Sequence, residues 1–329
     1  MQTKYSLKNK EVKKSARQDR KIYYEELASE ARRREIGTLY KITKELAGKS
    51  RAHDRPIKSK AGERLATERQ QMDRWIEHFK EVLNFDSEIE GSSFLAGHKG
   101  DELNINLEEI SINEIKGALK LLKNRKSPGV DEITAEVLKV DTEITATVFH
   151  RLFQHIWKDE DIPADWAKGI IIKLPKKGDL SDCNNWRGIT LLSVPGKVFL
   201  RVILNRIEKA IDSKLRNEQA GFRSNRGCID HIFTIRNIIE QSIEWQSTTI
   251  LNFIDFRKAF DSINRECLWQ ILLAYQIPPK IVNIIKAFYN NYNCCIINNY
   301  NKQSDLFNVN SGIRQGCIIP PFFFIVTID

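Results

Sequence analysis

Apolar residues recur every three or four positions through much of the chain, and this spacing predicts amphipathic helices. One such helix is expected within residues 1–50 and a second over 65–83. In the first, four residues share the apolar face: Ile36, Leu39, Tyr40 and Leu46. A capping box at Ser111 starts a third helix. Further predicted helices cover 144–157, 198–211, 228–245, 267–275 and 281–292.

Shorter apolar runs bounded by turn residues predict β-strands. Residues 169–174 and 186–192 are expected to form a hairpin with a basic tip, and 294–297 to pair with 307–309. The run 249–255 is rich in β-favouring apolar residues and predicts a buried strand. Strands and helices therefore mix along the chain, which is typical of an α+β fold.

The strand predicted over 249–255 ends in a carboxylate, Asp255. A side chain at the end of a strand can be presented at the edge of the sheet, and Mg²⁺ prefers oxygen ligands of this kind. With the backbone oxygen of Phe256 beside it, Asp255 is a candidate for half of a phosphoryl-transfer metal site. A helix N-cap is the ordinary alternative for a lone Asp between a strand and a helix.

Charge divides the chain unevenly. Residues 1–60 hold 18 Lys/Arg and 8 Asp/Glu, a net of +10, whereas the whole chain of 329 residues has a net charge of +9. The basic excess predicts either polyanion binding or a solvated helix surface laced with ion pairs. Residues 86–101 are acidic and rich in Gly and Ser, so we expect the main domain boundary there.

The 6 cysteines form no C-x-x-C pair, which argues against a structural zinc site. The first ten residues lack the apolar segment of a signal peptide, and the longest apolar run, 318–326, is too short to span a bilayer. We therefore expect an intracellular protein of the nucleus or cytoplasm, without membrane contact.

Four sequence blocks in order resemble the reverse transcriptase of non-LTR (LINE-like, RTE-type) retrotransposons. They are LPKKGDLSDCNNWRGITLLSVPGKVF (174–199), NEQAGFRSNRGCIDHIF (217–233), NFIDFRKAFDSINRECLW (252–269) and SGIRQGCIIPPFFFIVTID (311–329). The resemblance covers roughly 105–329. It implies a right-hand polymerase: fingers and a partial palm, with an antiparallel sheet and helices. A basic helical region (1–85) and a linker (86–104) would precede this domain (105–329).

The resemblance also implies roles for individual residues. Asp255 would be the catalytic metal ligand of a two-Mg²⁺ site, and Phe256 would lend its backbone oxygen. Nucleotide-binding positions would be Lys176, Lys177, Arg187, Phe260 as a steric gate against ribonucleotides, Gln315 and Gly316. Template-binding positions would be Arg223, Arg226 and Arg314. Asp261 is interpreted as a structural cap or pair partner. The implied partners are an RNA template, a DNA primer and dNTPs, and the oligomeric state is left open.

Two departures from the family pattern change the functional expectation. Pro320 and Pro321 stand where the family usually has Ser-Pro, and the sequence stops at Asp329 before the motif with two further metal-binding aspartates. One carboxylate cannot cage two Mg²⁺ ions, so we expect this chain alone to be inactive, with its metal site incomplete. Three alternatives stay open: a non-catalytic nucleic-acid-binding remnant, an incidental reading frame of a decayed element, and a relative such as a group II intron maturase or telomerase-type polymerase.

Overall fold

The computed structural model describes residues 56–84, 103–256, 258–298 and 302–329, with isolated helical, exposed positions between 8 and 25. The predicted apolar face around Ile36 and the predicted linker lie largely or wholly outside the described residues. The chain divides into two compact units, Met1–Arg55 and Pro56–Asp329.

The second unit is α+β, as predicted. Its helices are α1 (Glu68–Leu83), α2 (Ile112–Lys120), α3 (Ala135–Val140), α4 (Thr142–Asp159), α5 (Val194–Asp212), α6 (Cys228–Glu244), α7 (Arg265–Ala274), α8 (Pro279–Ala287) and α9 (Pro320–Ile328). Its strands are β1 (Lys168–Pro175), β2 (Trp186–Leu191), β3 (Asn293–Ile296) and β4 (Phe307–Asn308). Short 3-10 turns occupy Ala164–Ala167 and Cys183–Asn185. No helix among those described combines the length and apolarity needed to cross a membrane.

Local capping explains where several helices begin. At α2, the Ser111 hydroxyl accepts from the Glu114 backbone N–H at 3.3 Å, and the Glu114 carboxylate accepts from the Ser111 N–H at 2.9 Å. This reciprocal pair is the predicted capping box. The same Glu114 carboxylate accepts from the Arg206 guanidinium of α5 at 2.6 and 2.8 Å, so the cap also fastens α2 to the core.

The four strands form one sheet in the order β2-β1-β3-β4. The predicted hairpin is confirmed, with β1 and β2 antiparallel, and so is the antiparallel β3–β4 pair. The prediction of an antiparallel sheet is wrong for the central pairing, because β1 and β3 are parallel. A parallel pair needs a long crossover, and helices α5 to α8 provide it.

Helix α1 packs directly on the sheet. The Trp75 ring meets the Trp186 ring of β2 at 5.5 Å between centroids. Phe79 approaches the backbone of Gly188 so closely that a Cβ there would lie 2.6 Å from the Phe79 ring. A second, larger core lies among the other helices, where Phe153 and Phe199 are fully buried with ring centroids 5.0 Å apart.

The segment 228–256 differs most from its prediction. Helix α6 forms as expected, but none of its residues is buried. Residues 249–256 form no strand, and Ile254 is 81% exposed where a buried strand was predicted. Among the described strands, none pairs with this run. An extended segment without a hydrogen-bonded neighbour has no sheet face through which to bury its side chains.

Candidate functional site

A cleft that is partly open to solvent lies where the hairpin, the loop before α9 and helix α1 meet. Residues from five parts of the chain line it: α1, the β1–β2 hairpin, residues 258–265, Tyr292 and the loop 309–315. The cleft therefore depends on contacts between elements that are far apart in sequence.

Three polar side chains form a chain of hydrogen bonds at this cleft. The Arg187 Nε donates to Gln315 Oε1 at 3.3 Å, and the Gln315 Nε2 donates to Asp261 Oδ1 at 2.6 Å. An amide has one acceptor and one donor end, so the Asp261 carboxylate orients Gln315 to receive Arg187. Burial raises the pKa of the Asp261 carboxyl, and the hydrogen bond from Gln315 opposes that shift.

The backbone of β2 holds Gln315 in place. The Thr190 N–H donates to the Gln315 carbonyl at 2.9 Å. The next residue, Gly316, has a φ of +117°, and a Cβ there would lie 2.1 Å from the Thr190 carbonyl oxygen. Only glycine tolerates this close approach and this backbone conformation together. The Gly316 position in the predicted nucleotide-binding motif thus sets the distance between the loop and the hairpin.

Arg265 fixes the loop from the other side. Its guanidinium donates to the carbonyls of Val309, Ser311 and Gly312 at 2.8, 3.1 and 2.9 Å. It also lies over the Tyr289 ring at 5.0 Å. Burial lowers the pKa of Arg265, but three carbonyl partners compensate its charge within the fold. One face of the cleft is therefore rigidly built before any ligand enters.

The charge of the cleft is strongly positive. Its basic lining residues are Lys176, Arg187, Lys258, Arg265 and Arg314. Asp261 is the one carboxylate among the described residues that line it. Lys176, Arg187 and Lys258 are exposed, whereas Lys177 is exposed at the hairpin tip outside the lining. Such an excess of cations around a concave surface favours an anionic ligand.

The predicted metal ligand lies apart from this cleft. Asp255 is exposed and is not among the lining residues, and the neighbouring Phe256 ring, 56% exposed, contacts the Phe324 ring at 6.1 Å. In the described ranges, no three His, Cys, Asp or Glu side chains lie close enough to hold a metal ion together. The described residues therefore do not assemble the two-metal site that the resemblance implies.

Phe260 immediately precedes Asp261, which lines the cleft, but Phe260 itself is not among the lining residues. Its ring is half-buried against the larger core and meets Phe324 at 5.4 Å, while its carbonyl accepts from the Ile313 N–H at 2.9 Å. Its role as a steric gate stays a prediction.

Two of the three predicted template contacts do not fit the structure. Arg314 is only 3% exposed, donates to the Trp166 carbonyl at 2.6 Å and lies over the Tyr292 ring at 4.2 Å. Its guanidinium is an internal support and cannot reach a nucleic-acid backbone from this position. The reason is the aromatic cage around it, which local sequence did not reveal.

Arg223 is likewise 8% exposed and serves its own loop. It donates to the Asp212 carboxylate at 2.8 Å and to the carbonyls of Arg216 and Gln219 at 2.7 and 3.0 Å. The Arg223 guanidinium lowers the pKa of Asp212. Arg226, in contrast, is exposed, so its template-binding role stays a prediction.

Sequence reasoning gave no role to three basic residues that line the cleft: His78, Lys258 and Arg265. It interpreted a fourth lining residue, Asp261, only as a structural cap or pair partner. Lys258 and Asp261 lie inside the motif around Asp255, where the sequence assigned site roles to Asp255, Phe256 and Phe260 instead. His78 lies on the same face of α1 as Trp75 and Phe79, and a polar residue on an otherwise apolar face was the available signal.

Comparison with known proteins agrees with the motif blocks. Residues 174–329 match the family described as "Reverse transcriptase (RNA-dependent DNA polymerase)". The "Transposon TX1 uncharacterized 149 kDa protein" of Xenopus laevis is 28% identical over 220 residues, covering 67% of this chain and 17% of the relative. The "RNA-directed DNA polymerase from mobile element jockey" of Drosophila melanogaster is 23% identical over 233 residues, which cover 68% of this chain and 25% of the relative.

A third relative, the "Retrovirus-related Pol polyprotein from type-1 retrotransposable element R2" of Popillia japonica, is 27% identical over 222 residues, 67% of this chain and 30% of the relative. The chain therefore spans 17% to 30% of the length of these three relatives. The narrower RTE-type assignment stays a prediction. Residues 174–329 form a reverse transcriptase domain, and it is of the kind carried by non-LTR, LINE-like retrotransposons.

Proposed function

We propose that the cleft binds the triphosphate of an incoming dNTP, as the nucleotide site of an RNA-directed DNA polymerase that extends a DNA primer on an RNA template. The observation that carries this proposal is the hydrogen-bonded chain from Arg187 through Gln315 to Asp261 within a strongly basic cleft. All three residues lie within the stretch that matches the family.

Arg187 is suited to hold phosphate. Its Nε is engaged by Gln315, and in the described part of the chain its two terminal nitrogens donate to no other group. Guanidinium donors in a fixed plane bind phosphate oxygens in pairs, and Gln315 holds that plane at the cleft. Lys176 and Lys258 add positive charge from two further sides of the cleft.

Nucleotide binding by the whole chain tests this proposal. We expect Arg187→Gln to weaken dATP affinity by roughly tenfold or more, because it removes a charge-assisted pair of hydrogen bonds. Arg236→Gln is the matched control, since Arg236 is exposed on α6 and pairs only with Glu240 among the described residues. Equal affinity of the two variants would remove the basis for the proposal.

We propose further that this chain alone does not extend a primer. Asp255 stands apart from the cleft, and the described residues offer no group of carboxylates that fits two Mg²⁺ ions. Primer extension on an RNA template with Mg²⁺ and dNTPs is expected to yield no product. A product that disappears in Asp255→Ala would contradict this expectation.

The uneven charge favours a second candidate function, nucleic-acid binding without chemistry in the nucleus or cytoplasm. Residues 1–60 carry a net of +10, and Arg226 is exposed in the block predicted to follow the template. Binding through phosphates must weaken steeply as salt rises. Filter binding of RNA across a salt series tests this, and absence of binding even at low salt would exclude it.

A further inference from the structure

Helix α1 forms one wall of the cleft, although it lies outside the stretch 174–329 that matches the family. Four of its residues line the space: His78, Phe79, Val82 and Leu83. Three of these are apolar, so His78 is the polar group that α1 presents to the cleft.

The end of α1 is bound to the loop that carries Gln315. The Leu83 carbonyl accepts from the Ser311 N–H at 3.1 Å. The Asn84 side chain donates to the Asn308 carbonyl at 3.1 Å and accepts from the Asn310 N–H at 2.7 Å. These bonds fix the position of the α1 wall relative to the opposite side of the cleft.

His78 packs among aromatic rings in the lining of the cleft. It is 6% exposed, and its ring contacts the rings of Trp75 and Phe79 at 6.1 and 5.2 Å. His78 lines the cleft, so its imidazole borders the space that a ligand would occupy. Burial lowers the pKa of His78 to about 4, with Arg74 and Lys258 adding to the shift. The imidazole is therefore neutral near pH 7 and has one N–H to donate.

We infer that His78 is a nucleotide-binding residue, whose imidazole N–H donates to a phosphate oxygen of the dNTP held by Arg187 and Lys258. The inference rests on the proposed function of the cleft and extends it to a helix that precedes the family match. An ordinary core histidine is the competing explanation. A core histidine would affect stability, but it would have no separate effect on phosphate binding.

The test compares the affinities of four proteins, each the full chain, for dATP and for inorganic tripolyphosphate. They are the wild type, His78→Phe, His78→Gln and the control His155→Phe, whose side chain is 81% exposed on α4. We expect His78→Phe to weaken both ligands by roughly fivefold to tenfold, the effect of one lost hydrogen bond to a charged group. His78→Gln keeps a donor and should retain most of the affinity, and His155→Phe should equal the wild type.

The outcomes separate the two proposals. If Arg187→Gln weakens dATP and His78→Phe does not, the inference about His78 is wrong and the nucleotide site stands. If neither variant changes affinity, or the wild type does not bind dATP, the proposed function itself fails. Loss of dATP affinity with unchanged tripolyphosphate affinity would overturn the phosphate contact.

Imidazole NMR provides a readout that does not depend on how well His78→Phe folds. The His78 signal is identified in the wild type by its absence from the His78→Gln spectrum. Saturating tripolyphosphate should shift that signal and leave the exposed His155 signal unchanged. An unshifted His78 signal at saturation would contradict the inference.

Discussion

Burial differs sharply between two regions that the sequence predicted in the same way. One is the β1–β2 hairpin with the loop 312–317 that packs on it, and the other is the segment 228–256. In the hairpin, Ile171 is 1% exposed and β1 has a partner strand on each side. In the other segment, Ile254 is 81% exposed and α6 has no buried residue. Both segments have the apolar pattern of a core element.

The difference shows that an apolar pattern indicates that a segment can be buried, but does not indicate which other surface would bury it. Strand β1 pairs with β2 over Ile170–Pro175 and with β3 over Lys168–Ile171, and its Ile171 lies in one buried cluster with Trp75 and Phe79 of α1. The run 249–256 has no such neighbour among the described strands. Burial is a property of two surfaces, and a strand contributes only one of them.

The largest expected effect comes from deleting the same side chain in the two regions. Phe199→Ala should lower the free energy of unfolding by about 3–5 kcal/mol, because Phe199 is fully buried against Phe153. Phe233→Ala, on α6 at 63% exposure, should change it by no more than about 0.5 kcal/mol. Chemical denaturation measures both. Comparable losses would mean that α6 is packed in solution and would break the comparison.

A smaller effect is expected at the glycine that seats the loop on β2. Gly316→Ala should cost at least about 2 kcal/mol and weaken dATP binding, because its Cβ would meet the Thr190 carbonyl in a left-handed conformation. The control is Gly117→Ala in α2, where no atom lies within 4 Å of the added Cβ. That variant should gain about 0.5–1 kcal/mol. Thermal unfolding distinguishes them, and a stable, nucleotide-binding Gly316→Ala protein would refute the close approach.

The pH dependence of stability should change in His78→Gln. The folded pKa of His78, about 4, is below the ordinary 6.5, because burial, Arg74 and Lys258 outweigh Glu81 and Asp182. As pH falls from 6.5 towards 4, the unfolded chain takes up a proton that the folded chain does not, so the wild type loses stability there. The glutamine variant should lose less, by on the order of 1–2 kcal/mol near pH 5. Parallel denaturation curves across that window would show that His78 is not buried as described.

The smallest effect is expected in the exposed run itself. Ile254→Lys should leave the free energy of unfolding within about 0.5 kcal/mol of the wild type, since Ile254 is 81% exposed. A buried strand, as the sequence predicted, would instead lose several kcal/mol on receiving an unpaired charge. The paired control is Ile171→Lys in β1, which should unfold the protein. A severe loss at both positions would restore the predicted strand.

The sequence predicts the local structure of this protein better than it predicts the residues of the site. The helix start at Ser111 followed from its capping residues, and the β1–β2 hairpin followed from apolar runs bounded by turn residues. The motif blocks brought Arg187 and Gln315 into one prediction, and the structure joins them by a hydrogen bond across 128 positions. The same blocks suggested Arg223 and Arg314 as template contacts, and these are buried in their own surroundings.

By itself, the sequence determined most of the helices, the hairpin, the uneven charge and the reverse transcriptase motifs, because capping, periodicity and charge act over a few neighbouring residues. The tertiary structure alone decided that Asp261 and not Asp255 lies at the basic cleft, and that His78 of α1 faces it. These outcomes depend on which distant surfaces meet. The exposure, partners and pKa of a side chain depend on how distant surfaces pack together, so no local sequence pattern predicts them.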